Sequence, residues 1–157
     1  MSASIERFEH FLLARRATGE PLELSRSASE LAMLAFDSRK KRLVELHVVT
    51  GVAGKEVTLR RSAKERALMA AEVRAPSFSR VLTVGEDDGL VYYTSTLNDG
   101  ELVEDYIKRR GALPAATAFC LLLHLLEDLV QLQAYHRLIA KVSLSRLLVT
   151  TLEDTFL

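Results

Sequence analysis

The chain has 157 residues, enough for one domain built around a single core. Its 48% hydrophobic and 27% charged residues are those of an ordinary globular domain. Its 21 basic and 21 acidic residues exclude the net field that would draw nucleic acid or an anionic membrane. The one cysteine, Cys120, excludes an internal disulfide. It lies in an apolar helical run without cationic neighbours, which reads as a buried structural thiol and not a nucleophile. The opening MSASIERFEH lacks the apolar centre of a secretory signal. The longest apolar stretch, residues 115–126, is short for a membrane span and contains His124. A cytoplasmic location follows.

Residues 4–16 place Ile5, Phe8, Phe11 and Leu12 on one face of a short amphipathic helix, broken by Gly19-Glu20-Pro21. LAMLAF (31–36) reads as a strand and SRKKR (38–42) as a charged, solvated turn. LVELHVVT (43–50) alternates and is rich in branched residues, so it too is a strand, followed by a loop over 51–54. Residues 62–74 predict a helix with Ala67, Leu68 and Ala71 on its apolar spacing, stopped by Pro76. Residues 80–84 and 90–96 are two strands joined by GEDDG, a hairpin signal. After a turn at Asn98-Asp99-Gly100, residues 101–110 form a short helix that starts acidic and ends basic, as its dipole prefers. Pro114 opens a long helix to about Tyr135 whose leucines lie on more than one face, the pattern of a buried helix. Residues 147–150 make a last strand. The order predicts an α+β fold, an antiparallel sheet covered by one helix with a helical part beside it.

His10, His47, His124 and His136 have no paired metal-ligand spacing, so no metal site is expected. His47 reads as a half-buried, hydrogen-bonded strand residue, His124 as a core-edge residue and His136 as a helix-end cap. Glu86, Asp87 and Asp88 read as a solvated hairpin tip and not as a calcium loop.

Two strings carry a family resemblance. RAPSFSRVLTVGEDDGLVYYTSTLNDGELVEDYIKRRGALP, residues 74–114, resembles the stretch of bacterial Ser/Thr protein kinases from the end of helix C through the hinge to helix D. Residues 115–149, which end in LQAYHRLIAKVSLSRLLV, resemble helix E and the catalytic loop. Together they span about half of the chain. Upstream, LSRSASELAMLAFD can be laid on a glycine-rich loop and its flanking strands without a gap. The resemblance implies an N-terminal helical extension over residues 1–20 and a small lobe over 21–97, with an antiparallel sheet of about five strands and helix C. Residues 98–157 would then hold the hinge, helices D and E and a degenerate catalytic loop of a truncated large lobe.

At the positions that carry kinase chemistry, the implied residues differ. The three glycines that let a backbone approach the triphosphate are Ser25, Ser27 and Glu30. The phosphate-holding lysine is His47, shorter and mostly neutral at pH 7. The helix C glutamate is best matched by Glu65, although the spacing to Pro76 also allows Arg66. The His-Arg-Asp slots hold Ile139, Ala140 and Lys141, so the proton acceptor is replaced by a cation. The loop lysine is Ser143, and the metal-binding asparagine is Arg146, whose guanidinium cannot ligate Mg²⁺. The Asp-Phe-Gly segment would fall just past Leu157.

The resemblance therefore implies a catalytically inactive kinase-like domain that serves as a protein-binding or regulatory module. No cofactor is expected, although the hinge residues Ser95, Thr96 and Leu97 leave weak nucleotide binding open. The partner is a protein, including a second copy docked through the apolar face over residues 121–132, and not nucleic acid or a membrane. Two alternatives stand beside this reading. One is the front part of a divergent but active kinase. The other is an unrelated α+β dimeric interaction module, in which residues 93–99 would lie inside one regular element.

Overall fold

The computed structural model describes residues 7–98, 100–133 and 147–149. The chain divides into two compact units, Met1–Arg74 with Ser79–Leu97 and Ala75–Phe78 with Asn98–Leu157.

The first unit is an antiparallel sheet with one main helix on it. In chain order its strands are β1 (Arg7–Phe8), β2 (Phe11–Leu13), β3 (Glu23–Arg26), β4 (Glu30–Asp37), β5 (Arg42–Val49), β6 (Val81–Asp87) and β7 (Leu90–Thr96). They form a seven-stranded sheet in the order β1-β2-β4-β5-β7-β6, with β3 also paired to β4. The sheet is thus larger than the five strands expected, because the N-terminal segment joins it.

That segment corrects the helix expected over residues 4–16, of which 4–6 lie outside the described residues. Phe8 and Phe11 pair across a tight turn in which Glu9 has φ 49°. Both phenylalanines are buried and meet the Tyr92 ring edge-on, at 5.2 and 5.7 Å between centroids. Strand alternation buries Phe11 and Leu13 and leaves Leu12 outside. Pairing with β4 outweighs the weak helical spacing.

β2 and β3 both lie along β4, one against each half. Phe11–Leu13 pairs with the end of β4 and Glu23–Arg26 with its start. Residues 14–22 leave the edge between them, closed by Ala14 N–H to Leu34 O (2.9 Å) and Leu22 N–H to Ala14 O (2.7 Å). At the other end of β4, buried Asp37 accepts hydrogen bonds from the backbone N–H of Arg39 (3.0 Å) and Lys40 (2.9 Å). This Asx arrangement shapes the basic turn into β5.

The core on one face of the sheet joins Phe8, Phe11, Leu13, Met33, Ala35, Val44, Leu46, Val48 and Tyr92. On the other face, α2 (Val57–Glu72), preceded by α1 (Gly51–Lys55), buries Ala63 and Ala67. Ala63 clusters with Val49 and Val91, and the small side chain lets the helix lie close to the sheet. The helix starts earlier than residue 62, and Leu68, placed on its apolar face by spacing, is 50% exposed. The β6–β7 hairpin closes on Asp88 (φ 47°) and Gly89 (φ 73°), the two positive angles of a type I′ turn.

In the second unit, β8 (Glu101–Leu102) pairs with β9 (Leu148–Val149), followed in sequence after β8 by α3 (Val103–Arg110) and α4 (Ala115–Leu132). Asp128 of α4 is buried and accepts the Ser77 N–H at 2.6 Å. The long helix departs from the expectation of burial. Only Thr117, Leu125 and Asp128 are buried on it, while Phe119, Leu122, Leu126 and Val130 are 56–69% exposed. Cys120 is exposed and not a buried structural thiol, and His124 is exposed and not at a core edge. The apolar circumference was sufficient to predict burial only if other elements cover it, and among the described residues none covers this side. With 18 residues and a mean hydropathy of 1.5, α4 is also long and apolar enough to cross a membrane by length and composition, a measure that core helices of soluble proteins meet too. That window extends past the apolar stretch 115–126 only by including Glu127 and Asp128.

Gly85 on β6 lets the Tyr92 ring lie across the strand. A Cβ at this position would stand 2.7 Å from Tyr92 Cε1. Gly85→Ala is expected to lose about 1–3 kcal/mol of stability in urea unfolding, since the ring is part of the core. An unchanged midpoint would show that the ring is free to move.

Candidate functional site

The sheet face opposite the aromatic core carries a polar cluster. Along β5, alternation sends Val44, Leu46 and Val48 to the core and Glu45 and His47 to this other face. Register does the rest. His47 is paired with Ala32 of β4 on one side and Tyr93 of β7 on the other, and Glu45 is paired with Ser95. The imidazole stacks on the Tyr93 ring with 4.5 Å between centroids and 3° between planes.

Both ring nitrogens of His47 are engaged. Nδ1 is 3.0 Å from Glu30 Oε1, and Nε2 is 3.0 Å from Ser95 Oγ and 3.5 Å from Glu45 Oε2. Tyr93 O–H donates to the other Glu30 oxygen at 2.8 Å. The His47 side chain is only 14% exposed, against 37% for Glu30. Burial alone would push the imidazole toward its neutral form. Hydrogen bonds to Glu30 and Glu45 and their charges more than offset this and raise the pKa from 6.5 to about 9. His47 is therefore a cation at pH 7, which corrects the expectation that it is mostly neutral there. Both its nitrogens then donate, Nδ1–H to Glu30 and Nε2–H to Ser95.

Of the predicted site residues, the fold brings Glu30, His47 and Ser95 into this one cluster. Ser25 lies exposed in β3, and Ser27 is exposed at the hairpin turn, where its N–H donates to Glu30 O at 2.8 Å. The tip of that hairpin is tied down by Thr50 N–H to Ser29 O, also 2.8 Å. Glu65 and Arg66 are exposed on α2. Thr96 Oγ1 accepts the Arg80 N–H at 3.1 Å, and half-buried Leu97 ends the first unit. Ile139, Ala140, Lys141, Ser143 and Arg146 lie outside the described residues, as do Asp99 and His136. Among the described residues there is no group of three or more His, Cys, Asp or Glu able to hold a metal ion.

Sequence reading missed Glu45 and Tyr93. Strand alternation alone places Glu45 beside His47. Nothing local in the sequence places Tyr93 under His47, because that depends on the β5–β7 register between strands far apart in the sequence.

No family model matches the sequence, and neither does any curated protein. Solved structures do match. The Mycobacterium tuberculosis PknI kinase domain aligns with TM-score 0.72 and 20% identity over 96% of this chain and 59% of that one. A double mutant of the same domain aligns with TM-score 0.76 and 19% identity over 98% and 58%. A second double mutant gives 0.76 and 19% over 97% and 60%. The fold is therefore α+β and protein-kinase-like, and the chain spans about 58–60% of the length of the kinase-domain chains it matches. An α+β module of some other fold is thereby set aside. Consistently, residues 93–96 belong to β7, while Leu97 and Asn98 lie in no regular element.

The raised pKa makes stability pH-dependent with a definite sign. The folded state holds the His47 proton more tightly than the unfolded chain. Its contribution is full below pH 6.5 and is lost as pH rises through about 9. Solvent access to Glu30 reduces the effect to about 1–2 kcal/mol. Wild type is expected to lose this amount, relative to His47→Gln, between pH 7 and pH 10 in urea unfolding. Parallel pH profiles for the two proteins would refute the protonated assignment.

Proposed function

We propose that this chain is a catalytically inactive protein-kinase-like domain that acts as a protein-binding, regulatory module. The observation that carries the reading is the Glu30–His47 ion pair. The sequence resemblance implies that His47 takes the place of a phosphate-holding cation and Glu30 that of a glycine that would let phosphate approach. Here the two groups are 3.0 Å apart and neutralise each other, with Glu45 adding a second carboxylate at 3.5 Å. An incoming triphosphate meets negative charge and a side chain in place of bare backbone.

The catalytic-loop substitutions support the same reading. Lys141 in place of the aspartate offers no base, and Arg146 in place of asparagine offers no metal ligand. A domain with this scaffold and without these groups works by binding. The exposed apolar stripe of α4, with Phe119, Leu122, Leu126 and Val130, is the surface we assign to a protein partner, and a second copy of the chain is the simplest one.

Two experiments test this. Thermal-shift titration of the wild-type protein with ATP and Mg²⁺ is expected to leave Tm unchanged. A rise in Tm that needs both would instead support a divergent active kinase. In sedimentation at micromolar concentration the chain is expected to run as a dimer and Leu126→Lys as a monomer. A wild-type monomer would remove the self-association.

A further inference from the structure

Glu30 opens β4 at the base of the hairpin that joins it to β3. Its side chain reaches across the sheet while staying 37% exposed. Its two oxygens meet two different donors from two different strands, Nδ1 of His47 on β5 at 3.0 Å and O–H of Tyr93 on β7 at 2.8 Å. These donors are fixed independently of Glu30. His47 is held by Ser95 through Nε2 and by the flat stack on Tyr93, and Tyr93 is held by its place opposite His47 in the sheet. Two convergent, pre-oriented donors, one of them cationic, are what a planar or tetrahedral oxyanion requires.

We infer that His47 Nδ1–H and Tyr93 O–H form a preformed oxyanion receptor and that the Glu30 carboxylate is its internal ligand, a self-occupying contact that keeps external anions out. Among the described residues, the carboxylates within 3.5 Å of the His47 ring nitrogens are Glu30 from β4 and Glu45 from β5, and β7 contributes the neutral Ser95 and Tyr93. Glu45 approaches the opposite nitrogen, so removal of Glu30 uncovers Nδ1–H and leaves Nε2 engaged. Glu45 also helps keep the ring protonated once Glu30 is gone. The inference rests on the inactive reading for its biological sense, because an occupied receptor is one way such a domain excludes phosphate. The receptor itself is defined without any nucleotide.

The test is chemical rescue. Glu30→Ala should gain a Tm rise of about 2–5 °C with saturating sodium formate or inorganic phosphate, measured against sodium chloride at equal ionic strength. Wild type should respond to all three salts alike. The gain should be present at pH 6 and absent at pH 10, where His47 is neutral. It should vanish in the double variant Glu30→Ala/His47→Gln. A response to formate alone defines a carboxylate receptor, and a response to phosphate defines a site for tetrahedral oxyanions. Either supports the inference.

A folded Glu30→Ala protein that treats formate and phosphate like chloride overturns it, as does an equal response in the double variant. If Glu30→Ala does not fold, the isosteric Glu30→Gln decides. Its His47 titration, followed by ¹⁵N NMR, should fall by about one unit or more once the carboxylate is gone. An unmoved midpoint overturns the inference. Neither assay contains ATP or Mg²⁺, so failure here leaves the inactive reading to its own test.

Discussion

The register between β4, β5 and β7 is the constraint on which the first unit depends. β5 is the central strand, and it separates two incompatible surfaces by alternation alone. Leu46 is fully buried against the aromatic core, while His47, the next residue, joins a cluster of carboxylates and hydroxyls. A slip of one residue against either neighbour would drive the imidazole and Glu45 into that core and lift Val44, Leu46 and Val48 out of it. Burying an ion pair without its hydrogen bonds costs several kcal/mol, so the slipped sheet is strongly disfavoured. The same register stacks His47 on Tyr93 and brings Glu45 opposite Ser95. Fold and candidate site are thus two consequences of one pairing.

The charge cluster has its own logic. A histidine in a sheet with burial as its only perturbation would be neutral at pH 7. Two carboxylates reverse that outcome. Once protonated, His47 has no spare donor, because Nδ1 and Nε2 each already meet an oxygen. Glu30 ties the hairpin of β3 and β4 to β5 and β7, and Thr50 holds the tip of the same hairpin through Ser29. A loop held at both places is poorly suited to closing over and releasing a ligand.

The second unit poses the opposite problem. The first unit has a buried apolar cluster on each side of the sheet. Helix α4 presents a row of large apolar side chains that no described residue covers, and its anchor is polar, the bond from Ser77 N–H to buried Asp128. Exposed apolar area of this kind is costly in water and is commonly relieved by association.

Periodicity alone sufficed for several elements. The alternation of LVELHVVT defined β5, GEDDG marked the turn between β6 and β7, and Pro114 and Gly111 bracketed the helices of the second unit. These signals are local, since two-residue alternation, a turn residue with positive φ and a helix cap each act within a few positions. The α+β class followed from their order. Tertiary structure decided what depends on distant partners. Phe8 and Phe11 satisfy a helical spacing equally well, and only the edge of β4 and the ring of Tyr92 make them strands. The protonation of His47 needed Glu30, seventeen residues upstream, and its stacking needed Tyr93 on β7. The exposure of α4 and Cys120 depended on which elements lie beside the helix, which its own composition does not record. A sequence carries its local periods in every window, whereas a charge state or a covered face belongs to a set of residues that only folding brings together.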